Sequence, residues 1–180
     1  MAYKICIDPG HGGSDPGAVN GTKYEKTANL AIAKKVGAKL QAKGYKVKYT
    51  RSTDKYVSLA DRCKISNKYD ADIFVSIHLN SVANKDASGI ETWRYTTVGG
   101  LTKNLAENVQ TELISATGWK DRGVKKSSTL YVLKKTIASA VLVECGFISN
   151  DAECQKLFSD KWQNKIANGI VKGIEKTLKN

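Results

Sequence analysis

Two short apolar runs constrain the fold of this chain more than any other feature of its sequence. Residues 72–77 (DIFVSI) and 140–143 (AVLV) are almost continuously apolar and rich in β-branched side chains. This pattern is typical of a strand with both faces buried, as in the centre of a parallel sheet. A similar run at residues 5–7 begins the chain. These three segments are therefore predicted to be central strands.

Segments with helical periodicity alternate with the predicted strands. Helices are predicted over 27–43, 58–68, 101–116 and 160–179, with a short helix capped by Asn150 and Glu153, and further strands over 45–50, 89–95 and 130–133. The polar stretch 118–128 is predicted to be a loop. This alternation predicts one α/β domain over residues 1–180, with a twisted, mostly parallel sheet and helices on both faces.

The charge of the chain favours anionic partners. Twenty-nine Lys and Arg residues against 17 Asp and Glu residues give a net charge of +12 over 180 residues. Anionic cell-wall polymers, nucleic acid and anionic lipid are the candidates. Few aromatic residues lie among the basic ones, which argues against nucleic acid. No apolar run approaches the roughly 20 residues of a membrane span, which argues against a membrane as a partner. The sequence therefore predicts neither nucleic acid nor a membrane as a partner. The chain is expected to be a monomer.

The N-terminus and the cysteines bear on where the protein is made. No basic and then apolar leader precedes residue 5, which predicts cytoplasmic synthesis with later release, or an excised domain. The four cysteines form no C-x-x-C pair, and Cys6 and Cys145 lie within apolar strands. Free, buried thiols are therefore expected.

Both histidines of the chain follow predicted strands. His11 lies in a glycine-rich loop after residues 5–7, and the run 72–77 ends at His78. If the strands are parallel, both imidazoles lie at the edge where open α/β sheets bind ligands. Taken singly, His11 could instead bond within its own turn, and His78 could be a buried histidine with a polar neighbour. Their joint placement favours a metal site, because neutral imidazole is a common metal ligand.

Two glutamates complete this candidate site. Glu25, just beyond the glycine loop, can supply a third ligand, although it also suits the first turn of a helix. Two histidines and one carboxylate leave a fourth position on Zn²⁺ for water. A further carboxylate must then move protons, and Glu144 ends an apolar strand where burial should raise its pKa. The competing interpretation of Glu144 is a strand-end glutamate in a salt bridge.

Other catalytic motifs are absent or weak. The chain contains no H-E-x-x-H, G-x-S-x-G or G-x-x-x-x-G-K-[ST] pattern. A cysteine protease using Cys145 and His78 is conceivable, but nothing marks Cys145 as a thiol of low pKa.

Several motifs resemble one enzyme family. The segment 8–18 (D-P-G-H-G-G-x-D-x-G-A) followed by Glu25 resembles the opening of the zinc-dependent N-acetylmuramoyl-L-alanine amidases of bacterial and phage cell-wall lysis. The segments 76–80 (S-I-H-x-N), 122–125 (R-G-V-K) and 143–150 (V-E-x-G-F-I-S-N) are similar to its later motifs, in the same order. Leu79, Cys145 and residues 138–140 depart from the family pattern, which affects fine substrate preference and not the reaction.

The resemblance implies a function and a site. It implies a six-stranded sheet, Zn²⁺ as cofactor, His11, Glu25 and His78 as its ligands, and Glu144 as the catalytic glutamate. The implied reaction is hydrolysis of the amide between N-acetylmuramic acid and L-alanine in peptidoglycan, on the extracellular cell wall. Asn80 is a candidate donor to the reacting carbonyl. A zinc carboxypeptidase acting on wall peptides and a non-catalytic basic binding module remain as alternatives.

Overall fold

The computed structural model describes residues 2–179, which form six main strands, one small hairpin and six helices. In chain order the elements are β1 (Lys4–Pro9), β2 (Val19–Asn20), β3 (Lys23–Tyr24), α1 (Glu25–Ala42), β4 (Lys46–Tyr49), α2 (Leu59–Tyr69), β5 (Ile73–Asn80), β6 (Ile90–Tyr95), α3 (Gly100–Thr117), β7 (Asp121–Ser127), α4 (Tyr131–Lys135), β8 (Ser139–Phe147), α5 (Asp151–Leu157) and α6 (Asp160–Leu178). Within these residues, no helix combines the length and apolar character needed to cross a membrane.

The six main strands form one mostly parallel sheet in the order β4-β1-β5-β8-β6-β7. The central strands β1, β5 and β8 run parallel, while β6 pairs antiparallel with β8 and parallel with β7. The predicted α/β class and the mostly parallel sheet are confirmed. The three apolar runs lie side by side because only neighbours on both edges and both faces can bury such strands completely.

Helices cover both faces of the sheet, as predicted. The larger apolar core lies between one face and helices α1, α3 and α6, and includes Ile32, Leu105 and Ile170. A smaller core on the other face joins Cys6 and Phe74 of the sheet to residues of α2 and α4. The C-terminal ends of the central parallel strands remain open between these layers, which leaves a place for a site.

Two local predictions are wrong. The stretch 118–128 is not a loop, because Asp121–Ser127 is the edge strand β7, parallel to β6. Residues 130–133 are not a strand, because Tyr131–Lys135 form the short helix α4. A polar edge strand lacks the apolar alternation that identifies strands, and a five-residue helix is too short to show a helical period.

The strands that carry the candidate residues are longer than predicted. β5 continues past His78 to Asn80, and β8 continues past Glu144 to Phe147. His78 and Glu144 therefore do not end their strands. They are direct neighbours across the β5/β8 pair, and the register shifts between His78 and Asn80.

Candidate metal centre

His11 is the second residue of the loop after β1, and two carboxylates flank its ring. Its backbone lies in the left-handed region (φ 59°), so the chain turns away immediately after the strand. Asp15 Oδ2 lies 2.8 Å from Nδ1, and Glu25 Oε2 lies 3.2 Å from Nε2. A proton on Nδ1 that is donated to Asp15 leaves Nε2 as the atom available to a metal.

Glu25 stands between the two histidines as the first residue of α1, and it is buried. Its Oε1 accepts a hydrogen bond from the backbone N–H of Leu79 at 3.0 Å and lies 3.1 Å from Nδ1 of His78. Its Oε2 accepts from the backbone N–H of Ala18 at 2.9 Å and faces His11. The carboxylate is thus held in place by two backbone N–H groups and by Asn29 Nδ2, which donates to Oε1 at 3.1 Å.

Two glycines allow this close approach. A Cβ atom at Gly10 would overlap the imidazole of His78, so that ring packs directly on the loop backbone. Gly17 has a φ of 66°, and a Cβ there would lie 2.6 Å from Glu25 Oε2 and 2.7 Å from His11 Cδ2. The glycine-rich sequence is required because any side chain at these positions would separate the three groups.

The three candidate ligands fit a metal ion. One donor atom from each of His11, Glu25 and His78 lies within 4.8 Å of the others. A tetrahedral ion with ligands at about 2.0–2.2 Å needs donor atoms about 3.4 Å apart. Glu25 Oε2 lies 3.2 Å from His11 Nε2 and Glu25 Oε1 lies 3.1 Å from His78 Nδ1, so each imidazole is close to that spacing from a different carboxylate oxygen. Two imidazoles with one carboxylate form a donor set that suits Zn²⁺.

The protonation of this cluster without metal follows from its contacts. Burial lowers the pKa of His11, but Glu25 and Asp15 outweigh burial and raise that pKa to about 9. Burial raises the pKa of Glu25, but hydrogen bonds and charge from His11 and His78 outweigh it and hold that pKa well below its usual range. Glu25 is therefore ionised at neutral pH, and His11 carries a proton that a metal must displace.

Glu144 lies beside His78 on the next strand, and it differs from Glu25 in its contacts. Its Oε2 is buried and has no hydrogen-bond partner among residues 2–179. The pKa of Glu144 is raised to about 7, because burial and the charges of Glu25 and Glu91 outweigh the lowering by His78 and His11. A carboxyl group with this pKa can both accept and release a proton near neutral pH.

A second glutamate faces Glu144 across the β6/β8 pair. Glu91 is buried, and it is the direct antiparallel partner of Glu144. Its carboxylate accepts hydrogen bonds from Asn80 Nδ2 at 3.0 Å, Trp93 Nε1 at 3.1 Å and Arg122 Nε at 2.9 Å. Glu91 is fully engaged, so Glu144 is the member of this pair that is free to move a proton.

Comparison with known proteins assigns the chain to a family. The model of the family described as N-acetylmuramoyl-L-alanine amidase matches residues 5–176. The chain belongs to this family. The match includes all six main strands and reaches into the last helix, so it covers both the sheet and the cluster around Glu25.

Individual family members are similar over nearly the whole chain. The uncharacterized protein YqiI of Bacillus subtilis strain 168 is 41% identical, over 95% of this chain and 82% of its own length. The sporulation-specific N-acetylmuramoyl-L-alanine amidase of the same strain is 38% identical, over 97% of this chain and 68% of its own. The crystal structure of an N-acetylmuramoyl-L-alanine amidase from Clostridium difficile 630 superposes with a TM-score of 0.96 at 42% identity, covering 99% of this chain and 98% of that one.

The structure brings together four of the five residues singled out from the sequence. His11, Glu25 and His78 converge, and Glu144 lies next to His78. Asn80 lies two residues beyond His78. Its amide donates to Glu91, and its Oδ1 accepts from the backbone N–H of Ser81 at 2.8 Å.

Sequence reasoning missed the side chains that support the loop of His11. Arg51 and Arg62 are both buried, and together they donate hydrogen bonds to the backbone carbonyls of Pro9, Gly10 and His11. Their long-range partners leave no local pattern in the sequence. Arginine on α2 and after β4 looks like an ordinary surface residue, and only its burial reveals this role.

A second buried group anchors Arg62. Asp8 accepts hydrogen bonds from Arg62 Nη1 at 2.8 Å, Thr50 Oγ1 at 2.6 Å and Ser76 Oγ at 2.7 Å. A buried ion pair is tolerated only when its remaining hydrogen-bonding groups are satisfied, as they are here. Asp8 thus fixes the guanidinium that holds the loop of His11.

Cys145 is unsuited to nucleophilic catalysis. The four cysteines are free and buried, as expected for Cys6 and Cys145. Burial raises the pKa of the Cys145 thiol far above its usual range, and the charges of Glu144 and Glu25 raise it further. A thiol in this environment is protonated and unreactive at neutral pH.

Proposed function

We propose that this chain hydrolyses the amide bond between the lactyl group of N-acetylmuramic acid and L-alanine in the peptidoglycan of the extracellular cell wall. One observation carries the proposal: three potential metal ligands converge beside a buried, unpartnered oxygen of Glu144. Membership in the amidase family supports the choice of substrate. Residues 1–180 would form the catalytic domain and act as a monomer.

We propose Zn²⁺ as the cofactor, held by His11, Glu25 and His78. When bound, Zn²⁺ would supply a Lewis acid that polarises the amide carbonyl and lowers the pKa of water. Asp15 would keep Nδ1 of His11 protonated and so direct Nε2 to the ion. The backbone N–H groups of Leu79 and Ala18 would hold the carboxylate of Glu25 in its binding orientation.

Glu144 is proposed to transfer the protons of the reaction. Its unpartnered Oε2 accepts a proton from the attacking water, whose oxygen forms a bond to the carbonyl carbon. The carbon–nitrogen bond then breaks, and Glu144 returns the proton to the departing amine of L-alanine. Glu144 ends the cycle in its starting state. The products are a free peptide amine and a lactyl carboxylic acid, which keeps the second proton of the water until it ionises to the carboxylate in solvent.

The products released from purified peptidoglycan test this function. We expect mass spectrometry to detect peptides with a free N-terminal L-alanine and glycan strands that keep their lactyl carboxylates. Release of single amino acids from the peptide would indicate a carboxypeptidase. Binding without any release would indicate a wall-binding module, and either of these results would contradict the proposal.

Metal binding is predicted to release a proton from His11. Because the pKa of His11 is raised to about 9 without metal, its folded form holds this proton below pH 9. We expect zinc binding at pH 7.5 to release about one proton from His11, and the apparent affinity to rise about tenfold per pH unit up to about pH 9. Calorimetry in buffers of different ionisation enthalpy measures the number of protons released when zinc binds. A pH-independent affinity between pH 7 and 9 would contradict the assignment.

We propose that anionic cell-wall polymers are additional partners. The net charge of +12 favours a polyanionic surface, and salt screens such attraction with a Debye length of about 10 Å at 0.1 M. Co-sedimentation with purified walls should weaken when the salt concentration is raised from 0.05 to 0.5 M (roughly a threefold shorter Debye length). Walls stripped of teichoic polymers are the control, and retention that is insensitive to salt on both would contradict this partner.

A further inference from the structure

Four polar side chains line up across adjacent strands on the face of the sheet that carries Glu144. His78 pairs with Glu144, and Glu144 pairs with Glu91. On the last strand the register shifts between Ile90 and Thr92, which places Arg122 beside Glu91. The row therefore leads from the metal centre to Arg122 at the β7 edge.

The guanidinium of Arg122 is held in one orientation, but not all of its N–H donors have a partner among residues 2–179. Its Nε donates to Glu91 at 2.9 Å, and its guanidinium lies 4.9 Å from the ring centre of Phe147. Nη1 makes a long contact of 3.5 Å to the carbonyl of Ser88, and Nη2 makes no hydrogen bond to any residue of 2–179. About a third of the side chain is exposed (32%). The guanidinium thus presents free N–H donors to solvent in a set orientation.

A lysine extends this positive edge. Lys125 is the register partner of Trp93, so the two side chains point to the same face of the sheet. That face is also the face of Glu91, because Trp93 Nε1 donates to the Glu91 carboxylate. Lys125 is exposed and has no ion pair within the described part of the chain. Arg122 and Lys125 therefore offer two cations on the same side of the metal centre.

The opposite side of the metal centre has a different character. A cavity beside His78 is lined by aromatic and aliphatic side chains, including Tyr56 and Tyr131. Of its ionisable groups, Asp8 pairs with Arg62 at 2.8 Å and Asp15 pairs with His11 at 2.8 Å, so neither cation is left without an acidic partner. This side suits the uncharged parts of a substrate, whereas the β7 edge suits an anion.

We propose that Arg122 and Lys125 bind the α-carboxylate of the second residue of the stem peptide, the D-glutamate that follows L-alanine. This inference rests on the proposed function. Two extended residues span at most about 7 Å, and β7 lies about 14 Å from β5, the strand of His78, across three strand spacings. A long arginine side chain covers the remaining distance. Stems with an α-carboxylate would therefore be preferred over stems in which this group is an amide.

Two matched substrates test the proposal on the zinc-loaded protein. Both are soluble glycan tetrasaccharides with the stem L-alanyl-γ-D-glutamyl-L-lysine, and one carries an α-carboxamide in place of the α-carboxylate. We expect wild type to favour the carboxylate substrate about tenfold in kcat/KM, as for a charge-assisted hydrogen bond. Arg122→Gln should reduce this ratio to near one, and Lys125→Gln should reduce it in part.

Lys126→Gln is the matched control, because Lys126 is exposed on the other face of β7 and should keep the wild-type ratio. Arg122→Gln also unpairs Glu91, which can slow both substrates, but only loss of the carboxylate site changes their ratio. A wild-type ratio near one, or an unchanged ratio in both variants, overturns the subsite while leaving the proposed function intact. If wild type cleaves neither substrate, both the subsite and the proposed function are overturned.

Discussion

Replacing Glu144 with glutamine is expected to lower the turnover of peptidoglycan by about a thousandfold, within the range for losing a general acid–base group. Glutamine has nearly the same shape, but its amide cannot accept and return the proton. Glu144 is not one of the three clustered metal ligands, so the variant should bind zinc with wild-type stoichiometry. Product release by mass spectrometry and metal content by elemental analysis measure the two properties separately.

A matched control removes a glutamate elsewhere. Glu107 lies exposed on α3, where it forms an ion pair with Lys103 at 3.8 Å and with no other residue of 2–179, and Glu107→Gln should retain wild-type turnover. Wild-type turnover in Glu144→Gln would refute the proposed proton transfer. Loss of turnover together with loss of zinc would instead indicate that Glu144 takes part in metal binding. That result would contradict the proposal that Glu144 transfers protons without binding the metal.

Replacing His78 with alanine is expected to abolish activity by removing the metal. His78 supplies one of three converging donors, and losing a direct ligand should weaken zinc binding by more than about a hundredfold, since even outer contacts of metal ligands are worth 10–100-fold. A chelator should inactivate wild type in the same way. Added Zn²⁺ should restore wild type but not His78→Ala.

The control for His78→Ala is a test that the variant still folds. The ring of His78 packs on Gly10, so truncation leaves a gap beside the loop, and circular dichroism must show that the sheet persists. Glu25→Gln provides a second variant with almost unchanged volume and should lose zinc as well. Hydrolysis that resists chelation, or zinc retained at wild-type affinity in both variants, would contradict the metal assignment.

The sequence predicted the centre of the fold better than its edge. The runs 72–77 and 140–143 identified β5 and β8 because strands buried on both faces must be apolar throughout. By contrast, β7 has the sequence DRGVKKS, in which Val124 is the one large apolar residue. Its strand conformation comes from hydrogen bonding to β6, a long-range cause that local composition does not record.

The candidate site shows the same division. His11 and His78 could be predicted because the chain has only two histidines and each comes soon after an apolar run. Glu91 could not, since it occupies an ordinary position of an alternating strand, and its importance comes from facing Glu144 across the sheet. Asp15 was visible in the loop motif, but its contact with Nδ1 of His11 depends on the turn geometry.

The arginines beneath the glycine loop have a consequence for metal exchange. Arg51 and Arg62 hold the carbonyls of the loop through contacts that involve no ion, and Gly10 N–H also bonds to the carbonyl of Ile77. Ordering a free loop would subtract about 1–2 kcal/mol per residue from the binding free energy. In this protein the loop is already ordered when the chain folds, so zinc should enter and leave without a slow conformational step. The amide protons of the loop should therefore exchange at similar rates in the zinc-free and zinc-loaded protein.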